Sequence, residues 1–255
     1  MQRLRRAALV VFCVLMLVAT AHAQAATEQR YYAPLNSVAA FVEYSNSSSH
    51  IILGDDRQRK FAGLALAYQR RISANHWMAW DYSAEIRPIL VESDPTIRGL
   101  HLLTNDSGPT MRQDFVFVHQ QPVQNIRLFR DISAAGMVGG RSVFFQVNYD
   151  RGRRWTYAPG VTPACFSVHL LPPRPMQPFL AATGGFLVSP RDIPEFKTSA
   201  FNFTFSFGGG VEWFRDHRRS WTIEYRVQHM SNKEIGFNNP GVDSQFVRVG
   251  YRFGF

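Results

Sequence analysis

The sequence has almost no cysteine, and the common motifs of soluble enzymes are missing from it. Cys13 and Cys165 are its two cysteines. Only Cys165 lies beyond the N-terminal segment, which excludes an internal disulfide scaffold. The patterns H-E-x-x-H, C-x-x-C and G-x-S-x-G and the P-loop do not occur. Metal-dependent, nucleotide-binding and α/β-hydrolase chemistry therefore have no support in the sequence.

Long apolar runs are also missing after residue 23, which excludes helical membrane spans. Residues 1–23 themselves have the pattern of a secretory signal peptide. Three arginines precede the apolar stretch Ala7–Thr20, and Ala21-His22-Ala23 is a cleavage site of the A-x-A type. We therefore predict an exported mature chain, residues 24–255, that forms a single domain.

The mature chain is basic and rich in aromatic residues. Removal of the first 23 residues lowers the formal net charge from +9 to +6, because they contain three arginines and no acid. A basic exported protein can meet anionic lipid headgroups, whereas a nucleic-acid partner is not expected. Phenylalanine is the most abundant aromatic residue, with 21 copies.

Apolar and polar residues alternate over eight segments, which predicts eight β-strands. The clearest is 201–213, where four phenylalanines alternate with small polar residues. The others are 37–45, 61–72, 77–91, 155–170, 176–187 and two strands within 221–255. Residues 92–154 are less regular, and we interpret them as a long outer loop or insertion that carries local helix or hairpin structure.

Two all-β architectures fit this pattern, a soluble sandwich and an outer-membrane barrel. The turns at 73–76, 171–175 and 214–219 are short and fall on one side of the sheet, and the loops at 46–59, 92–154, 188–200 and 232–242 fall on the other. This asymmetry favours an eight-stranded antiparallel transmembrane barrel. The sandwich stays an alternative. The inward-facing charges predict a salt-bridge network in the lumen, formed by Asp81, Glu85, Arg87, Glu212, Glu224, Arg226 and Arg248.

Three polar residues lie on the apolar face of the last two predicted strands. His229 and Ser231 continue the face of Trp221 and Tyr225, and Asp243 has the parity of the outward residues of the final strand. These residue types can carry acyl transfer, since histidine takes the serine proton and a carboxylate orients the histidine. On residue types alone, polar side chains that meet interfacial water at a strand end explain the pattern as well.

The longer motif around these residues is more specific. Gln228-His229-Met230-Ser231-Asn232 is followed by Asn239-Pro240-Gly241 and by a strand that contains Gly250-Tyr251-Arg252-Phe253. Together with 201–205 and 208–211, this arrangement resembles the PagL-like lipid A 3-O-deacylases, also grouped as acyloxyacyl hydrolase-like outer-membrane proteins. The resemblance is specific over 155–255 and says little about 92–154.

The resemblance implies a serine esterase on the lipid-facing wall of an outer-membrane barrel. It assigns Ser231 as the nucleophile, His229 as the general base and Asn232 as an oxyanion-hole donor. Asp243 stands where the family's best-known members have a glutamate and so loses a methylene of reach. On this basis, a gain of activity in Asp243→Glu would support the assignment.

The same resemblance implies the substrate and its contacts. Lipid A is bound from the outer leaflet of the bacterial outer membrane, with its acyl chain along Tyr225, Val227 and Tyr251. Lys233 is a candidate ligand for a lipid A phosphate, and a solvated loop lysine is the alternative. No cofactor is required. The expected partners are lipopolysaccharide and outer-membrane lipid, and a homodimer is a further candidate assembly. A non-catalytic structural or adhesive barrel, with 92–154 as its binding element, is the alternative function.

Overall fold

The structure is a computed structural model that describes Tyr32 and residues 34–106, 111–195 and 197–255. The predicted signal peptide, residues 1–23, lies outside the described residues. Within them the chain forms eleven strands and one short 3-10 helix, Ile126–Leu128. The strands are β1 (Asn36–Ser45), β2 (Lys60–Ala74), β3 (Met78–Asp106), β4 (Met111–Pro122), β5 (Ile132–Val138), β6 (Arg141–Tyr157), β7 (Gly160–Leu170), β8 (Met176–Ile193), β9 (Ser199–Phe214), β10 (Arg219–Ser231) and β11 (Val242–Gly254).

Eight of these strands close into a ring. β1 pairs with β2 and with β11, β2 pairs with β3, β3 pairs with β7, and β7 to β11 pair in sequence, with every pairing antiparallel. A ring without a free edge is a barrel and not a sandwich. The predicted eight-stranded antiparallel barrel is therefore confirmed.

Apolar residues cover the outside of the ring, and polar residues fill its inside. Along β10 the outward side chains of Trp221, Ile223 and Tyr225 are about half exposed, whereas the alternate Thr222 and Glu224 are buried. β11 repeats this alternation. In the part of the chain that the structure describes, no helix has the length and apolar character needed to cross a membrane.

Buried ion pairs join the strands across the lumen. Arg248 lies 3.2 Å from Glu43, 2.6 Å from Glu85 and 3.1 Å from Glu224. A second group is held by Arg71 with Asp81 and by Arg252 with Glu212. All seven residues of the predicted lumen network are buried, and each takes part in these or neighbouring ion pairs. The interior is thus packed with paired charges, as expected for a barrel too narrow to hold a channel.

The two ends of the barrel differ. At the turn end, the strands are joined by the short connections 75–77, 171–175 and 215–218, as predicted. At the loop end, β1 leads into the segment 46–59, and β10 leads into the segment 232–241. A cluster of buried apolar residues lies at this loop end of the barrel. It consists of Phe61, Leu90, Ala158, Leu187, Ile193, Met230, Val242 and Phe246.

Residues 92–154 are mostly strands that project beyond the ring. β3 continues past its pairing with β2 and pairs there with β4 and β6, and β5 joins β6 in a hairpin whose turn contains Gly139 and Gly140 at positive φ. The expectation of one strand over 155–170 is wrong. Residues 155–157 belong to β6, and the chain breaks at Ala158-Pro159 before β7, because proline has no N–H to continue the ladder.

Candidate active site

His229 and Asp243 face each other on the outer wall at the loop end of the barrel. They are direct register partners in the β10–β11 pair. The Nδ1 atom of His229 lies 2.6 Å from the Oδ1 atom of Asp243. Since Nδ1 is engaged with the carboxylate, Nε2 is the ring nitrogen left to accept a proton. This is the relation between base and orienting acid in a catalytic triad.

Ser231 is the last residue of β10, two positions from His229 on the same face. Both residues line one cavity of about 420 Å³, with Leu53, Lys233 and Asn239 among its other walls. In the described part of the chain, no hydrogen bond joins the Ser231 hydroxyl to His229. A contact between nucleophile and base that is loose without substrate is compatible with catalysis, because such contacts tighten when substrate binds.

The carboxylate of Asp243 is held from its other side by a backbone turn that the sequence did not reveal. The N–H groups of Ile51, Ile52, Leu53 and Gly54 all donate to Oδ2, at 2.9, 2.5, 3.0 and 2.9 Å. Asp243 is completely buried as a result. Four donors on one oxygen stabilise the ionised carboxylate, as in the backbone concavities that bind anions.

The imidazole of His229 is enclosed by neighbours on two sides, so that only 5% of the residue is exposed. The ring of Phe205, its register partner on β9, lies 5.0 Å away between centroids. Gly241 approaches from the turn before β11, where a Cβ atom would lie 2.9 Å from Cε1 of the histidine. Packing on both sides restricts the ring to few orientations.

Asn232 follows Ser231 directly and is buried. Its backbone N–H donates to the side chain of Asn239 at 3.1 Å, and its Nδ2 donates to the carbonyl of Asn238 at 2.7 Å. Its Oδ1 accepts from the backbone N–H of Glu234 at 2.9 Å. Asn232 thus organises the loop that follows Ser231. Its role as an oxyanion donor stays a prediction.

The predicted substrate-binding residues lie at different distances from the cavity. Lys233 lines it directly. Val227 and Tyr225 follow His229 down the outer face of β10, and the Tyr225 hydroxyl donates to Gln245 at 2.8 Å. Tyr251 lies farther off, since it pairs with Trp221 and is eight residues from Asp243 along β11. At the rise per residue of a β-strand, eight residues span ~27 Å. The structure therefore does not bring Tyr251 to the cavity.

A buried cluster of charged residues, centred on Arg59, packs against the loop 46–59. Arg59 is fully buried, 3.3 Å from Asp56 and 3.3 Å from Asp94. It also donates to the carbonyls of Val123 and Gln124. Burial raises the pKa of Asp56 to about 8, because Arg59 is shared between two carboxylates and offsets only part of the desolvation.

No group of metal-ligating side chains occurs among the described residues. The sequence predicted His229, Ser231 and Asp243 as site residues. Phe205 and Gly241 were part of the motif, but their packing against His229 was not predicted. The turn at Ile51–Gly54 was missed altogether. The apolar sequence Ile-Ile-Leu-Gly inside an otherwise polar loop was the one signal of that turn. The fold and the site together define an antiparallel barrel with a serine, a histidine and an aspartate on its outer wall.

Comparison with known proteins assigns this chain to a family. The family model described as "Lipid A 3-O-deacylase (PagL)" matches residues 115–252, more than half of the chain. The chain therefore belongs to the PagL lipid A 3-O-deacylase family. No curated protein sequence matches it.

The solved structures that are similar to this chain include two outer-membrane proteins. The outer membrane enzyme PagL is 12% identical with a TM-score of 0.42, and the alignment covers 86% of this chain and 99% of that one. Neisserial surface protein A is 12% identical with a TM-score of 0.40, over 86% of this chain and 97% of that one.

Proposed function

We propose that this protein is an outer-membrane serine esterase that removes the 3-O-linked acyl chain of lipid A. The observation that carries the proposal is the 2.6 Å contact between His229 and Asp243 beside Ser231, in a member of this family. The chemistry is acyl transfer to a serine followed by hydrolysis, and it requires no cofactor.

In the first step, Oγ of Ser231 attacks the ester carbonyl carbon while Nε2 of His229 takes the hydroxyl proton. The tetrahedral oxyanion is stabilised by Asn232 and by backbone N–H groups, where one donor typically contributes ~10²–10³ in rate. The C–O bond to the sugar then breaks, and His229 returns the proton to the sugar oxygen. Asp243 keeps its charge and stabilises the imidazolium in both directions.

In the second step, water attacks the acyl-serine ester. His229 takes a proton from this water, and the same proton is returned to Ser231 as the fatty acid leaves. The sum is one ester and one water converted into one alcohol and one carboxylic acid. No atom of the protein is changed at the end of the cycle.

The position of the site on the barrel suits a substrate that stays in the membrane. The cavity lies at the loop end of an apolar outer wall, where lipopolysaccharide of the outer leaflet would meet it from the side. The acyl chain would lie along Val227 and Tyr225, and Lys233 would face a lipid A phosphate. Tyr251 is eight residues from Asp243 along β11, and it has no contact with the reacting ester in this arrangement. The homodimer remains a prediction.

Mass spectrometry of lipid A from cells that express the protein tests this proposal. The wild type should remove one 3-hydroxyacyl group, and Ser231→Ala should remove none. Ser142→Ala is the matched control, because Ser142 is exposed on the β5–β6 hairpin, away from the cavity. Gel mobility with and without heating reports whether each barrel is folded. Unchanged lipid A with a folded wild type would contradict the proposal.

The alternative is a non-catalytic barrel that binds a partner. The projecting sheet of β4, β3, β6 and β5 favours it, because this sheet stands outside the ring and adds exposed surface. That function predicts unchanged lipid A and a binding activity that is lost when the β5–β6 hairpin is deleted. The same mass spectra therefore distinguish the two functions.

A further inference from the structure

We propose that the turn Ile51–Gly54 is the positioning element of the catalytic aspartate, and that its geometry requires an aspartate and not a glutamate at position 243. This inference rests on the proposed function and goes beyond it. It assigns a task to backbone atoms of a loop about 190 residues away in sequence. It also reverses the expectation that a longer acid at this position would improve the enzyme.

The two carboxylate oxygens of Asp243 have different hydrogen-bond partners. All four N–H groups bind Oδ2, which leaves Oδ1 for Nδ1 of His229. A carboxylate held by the histidine alone could rotate about its Cβ–Cγ bond and exchange its oxygens. With four fixed donors on one oxygen, that rotation would break all of them at once.

The turn is itself fixed to the strand that carries Asp243. On one side Ser49 N–H donates to the carbonyl of Asp243 at 3.0 Å. On the other side Asp55 N–H donates to Pro240 at 2.7 Å, and Asp56 N–H donates to Gly241 at 3.1 Å. The donors of these three bonds lie in the sequence just before and just after the four N–H groups of the turn. The turn and Asp243 therefore form one hydrogen-bonded unit, in which the position of the turn is fixed relative to the carboxylate.

The length of the side chain is matched to this unit. Gly54 packs so closely that an added Cβ would lie 2.4 Å from the backbone nitrogen of Asp243 and 2.9 Å from its Cγ. One extra methylene in the acid would displace the carboxylate by ~1.5 Å, the length of a C–C bond. The carboxylate would then collide with the turn or lose its register with His229.

The first test compares Gly54→Ala with Gly136→Ala. The added methyl at position 54 has to move by about 1 Å to reach an ordinary contact distance, and misplacement by ~1 Å typically costs ~10²-fold in rate. At Gly136, on the β5–β6 hairpin, the methyl would meet nothing within 4 Å. We expect Gly54→Ala to lower kcat for lipid A by ~10²-fold with little change in KM, and Gly136→Ala to equal the wild type.

Two further readouts separate positioning from a merely structural role. Labelling of Ser231 by a fluorophosphonate reports nucleophile activation without lipid A, and it should slow in Gly54→Ala by the same factor as kcat. The second readout is the split between kcat and KM, because a misplaced carboxylate lowers kcat and leaves KM near the wild-type value. Gel mobility with and without heating confirms folding. If Gly54→Ala does not fold, Asp243→Glu carries the test, since it leaves the turn's own sequence unchanged.

The outcomes are distinct. A folded Gly54→Ala with normal kcat and normal labelling overturns the inference. A wild type that is labelled but inactive on lipid A overturns the proposed substrate, and slowed labelling in Gly54→Ala would still support the positioning role. A wild type that is neither labelled nor active overturns both.

Discussion

Replacement of Asp243 by glutamate should impair the proposed esterase, although the resemblance to the family aligns this position with a glutamate. In the structure, the aspartate accepts five hydrogen bonds between 2.5 and 3.0 Å, four from the turn Ile51–Gly54 and one from His229. A carboxylate shifted by ~1.5 Å cannot keep both sets of partners. We expect a loss of ~10²-fold in kcat, the usual effect of a misplacement of ~1 Å.

Asparagine at the same position provides the comparison. Asp243→Asn keeps the size of the side chain but removes its charge and favours the wrong histidine tautomer, which typically costs ~10⁴-fold in kcat. The predicted order of rates is therefore wild type, then Asp243→Glu, then Asp243→Asn. Fatty acid release from lipid A in detergent micelles, followed by mass spectrometry at several substrate concentrations, gives kcat and KM for each. An Asp243→Glu enzyme as fast as the wild type would refute the reasoning.

Three other predictions follow from the same region. Gly241→Ala should lower stability by ~1 kcal/mol, because Gly241 has a φ of 64°, which an alanine adopts only with strain. It should also lower activity ~10-fold, because the added methyl would lie 2.9 Å from Cε1 of His229. Melting curves measure the first effect and steady-state assays the second. Arg59→Ala should lower the free energy of unfolding by ~3–5 kcal/mol, because it leaves the buried Asp56 without its ion-pair partner and removes one of the two arginines that pair with Asp94. Arg151→Ala breaks an exposed pair and should cost at most ~1 kcal/mol. Comparison of the two Tm values checks this. Burial raises the pKa of Asp56 to about 8 in the folded chain, against an ordinary value of 3.8, so its neutral form favours the fold. The contribution of Asp56 to stability should therefore be fully present below about pH 4, fall as the pH rises to about 8 by up to ~1.4 kcal/mol per unit, and then level off. Asp56→Asn should flatten this part of the Tm profile between pH 4 and 9, and an unchanged slope would contradict the assignment.

Much of the barrel could be predicted from the sequence because its signal is local. Each ring strand has to present apolar residues outward and polar residues inward, so a period of two is present in every segment. The same rule placed His229, Ser231 and Asp243 on the outer face. The sequence Asn239-Pro240-Gly241-Val242 suits a type II turn, with proline at the second position and glycine at the third, and such a turn returns the chain to the start of β11. The register of β10 and β11 has His229 and Asp243 directly opposed.

The strands of 92–154 were harder to predict because they do not belong to the ring. β4, β5 and most of β6 form a sheet with the outer part of β3. Along β6, side chains of both parities are exposed or half-buried. No face of such a strand has to be uniformly apolar, and the alternation that identifies a barrel strand is therefore lost. Parity has a related limit, since it predicts which face Tyr251 occupies but not its distance from the site.

The turn at Ile51–Gly54 is marked in the sequence only by its apolar residues within a polar loop, and its contact with Asp243 leaves no mark, because the donors are backbone N–H groups. Every residue except proline carries one, and only the course of the chain brings four of them to one oxygen. Gly54 is the position where a side chain would prevent that approach. The contact with Asp243 also spans most of the chain length, so that no local pattern could record it.

The most direct test of the central claim uses purified protein and lipid A in detergent micelles. Mass spectrometry should show that the wild type releases one equivalent of 3-hydroxy fatty acid from the 3-position and leaves the other acyl chains in place. Folded Ser231→Ala should release none. Release by both proteins would exclude Ser231 as the nucleophile, and release by neither, with both barrels folded, would contradict the assignment of this protein as a lipid A esterase.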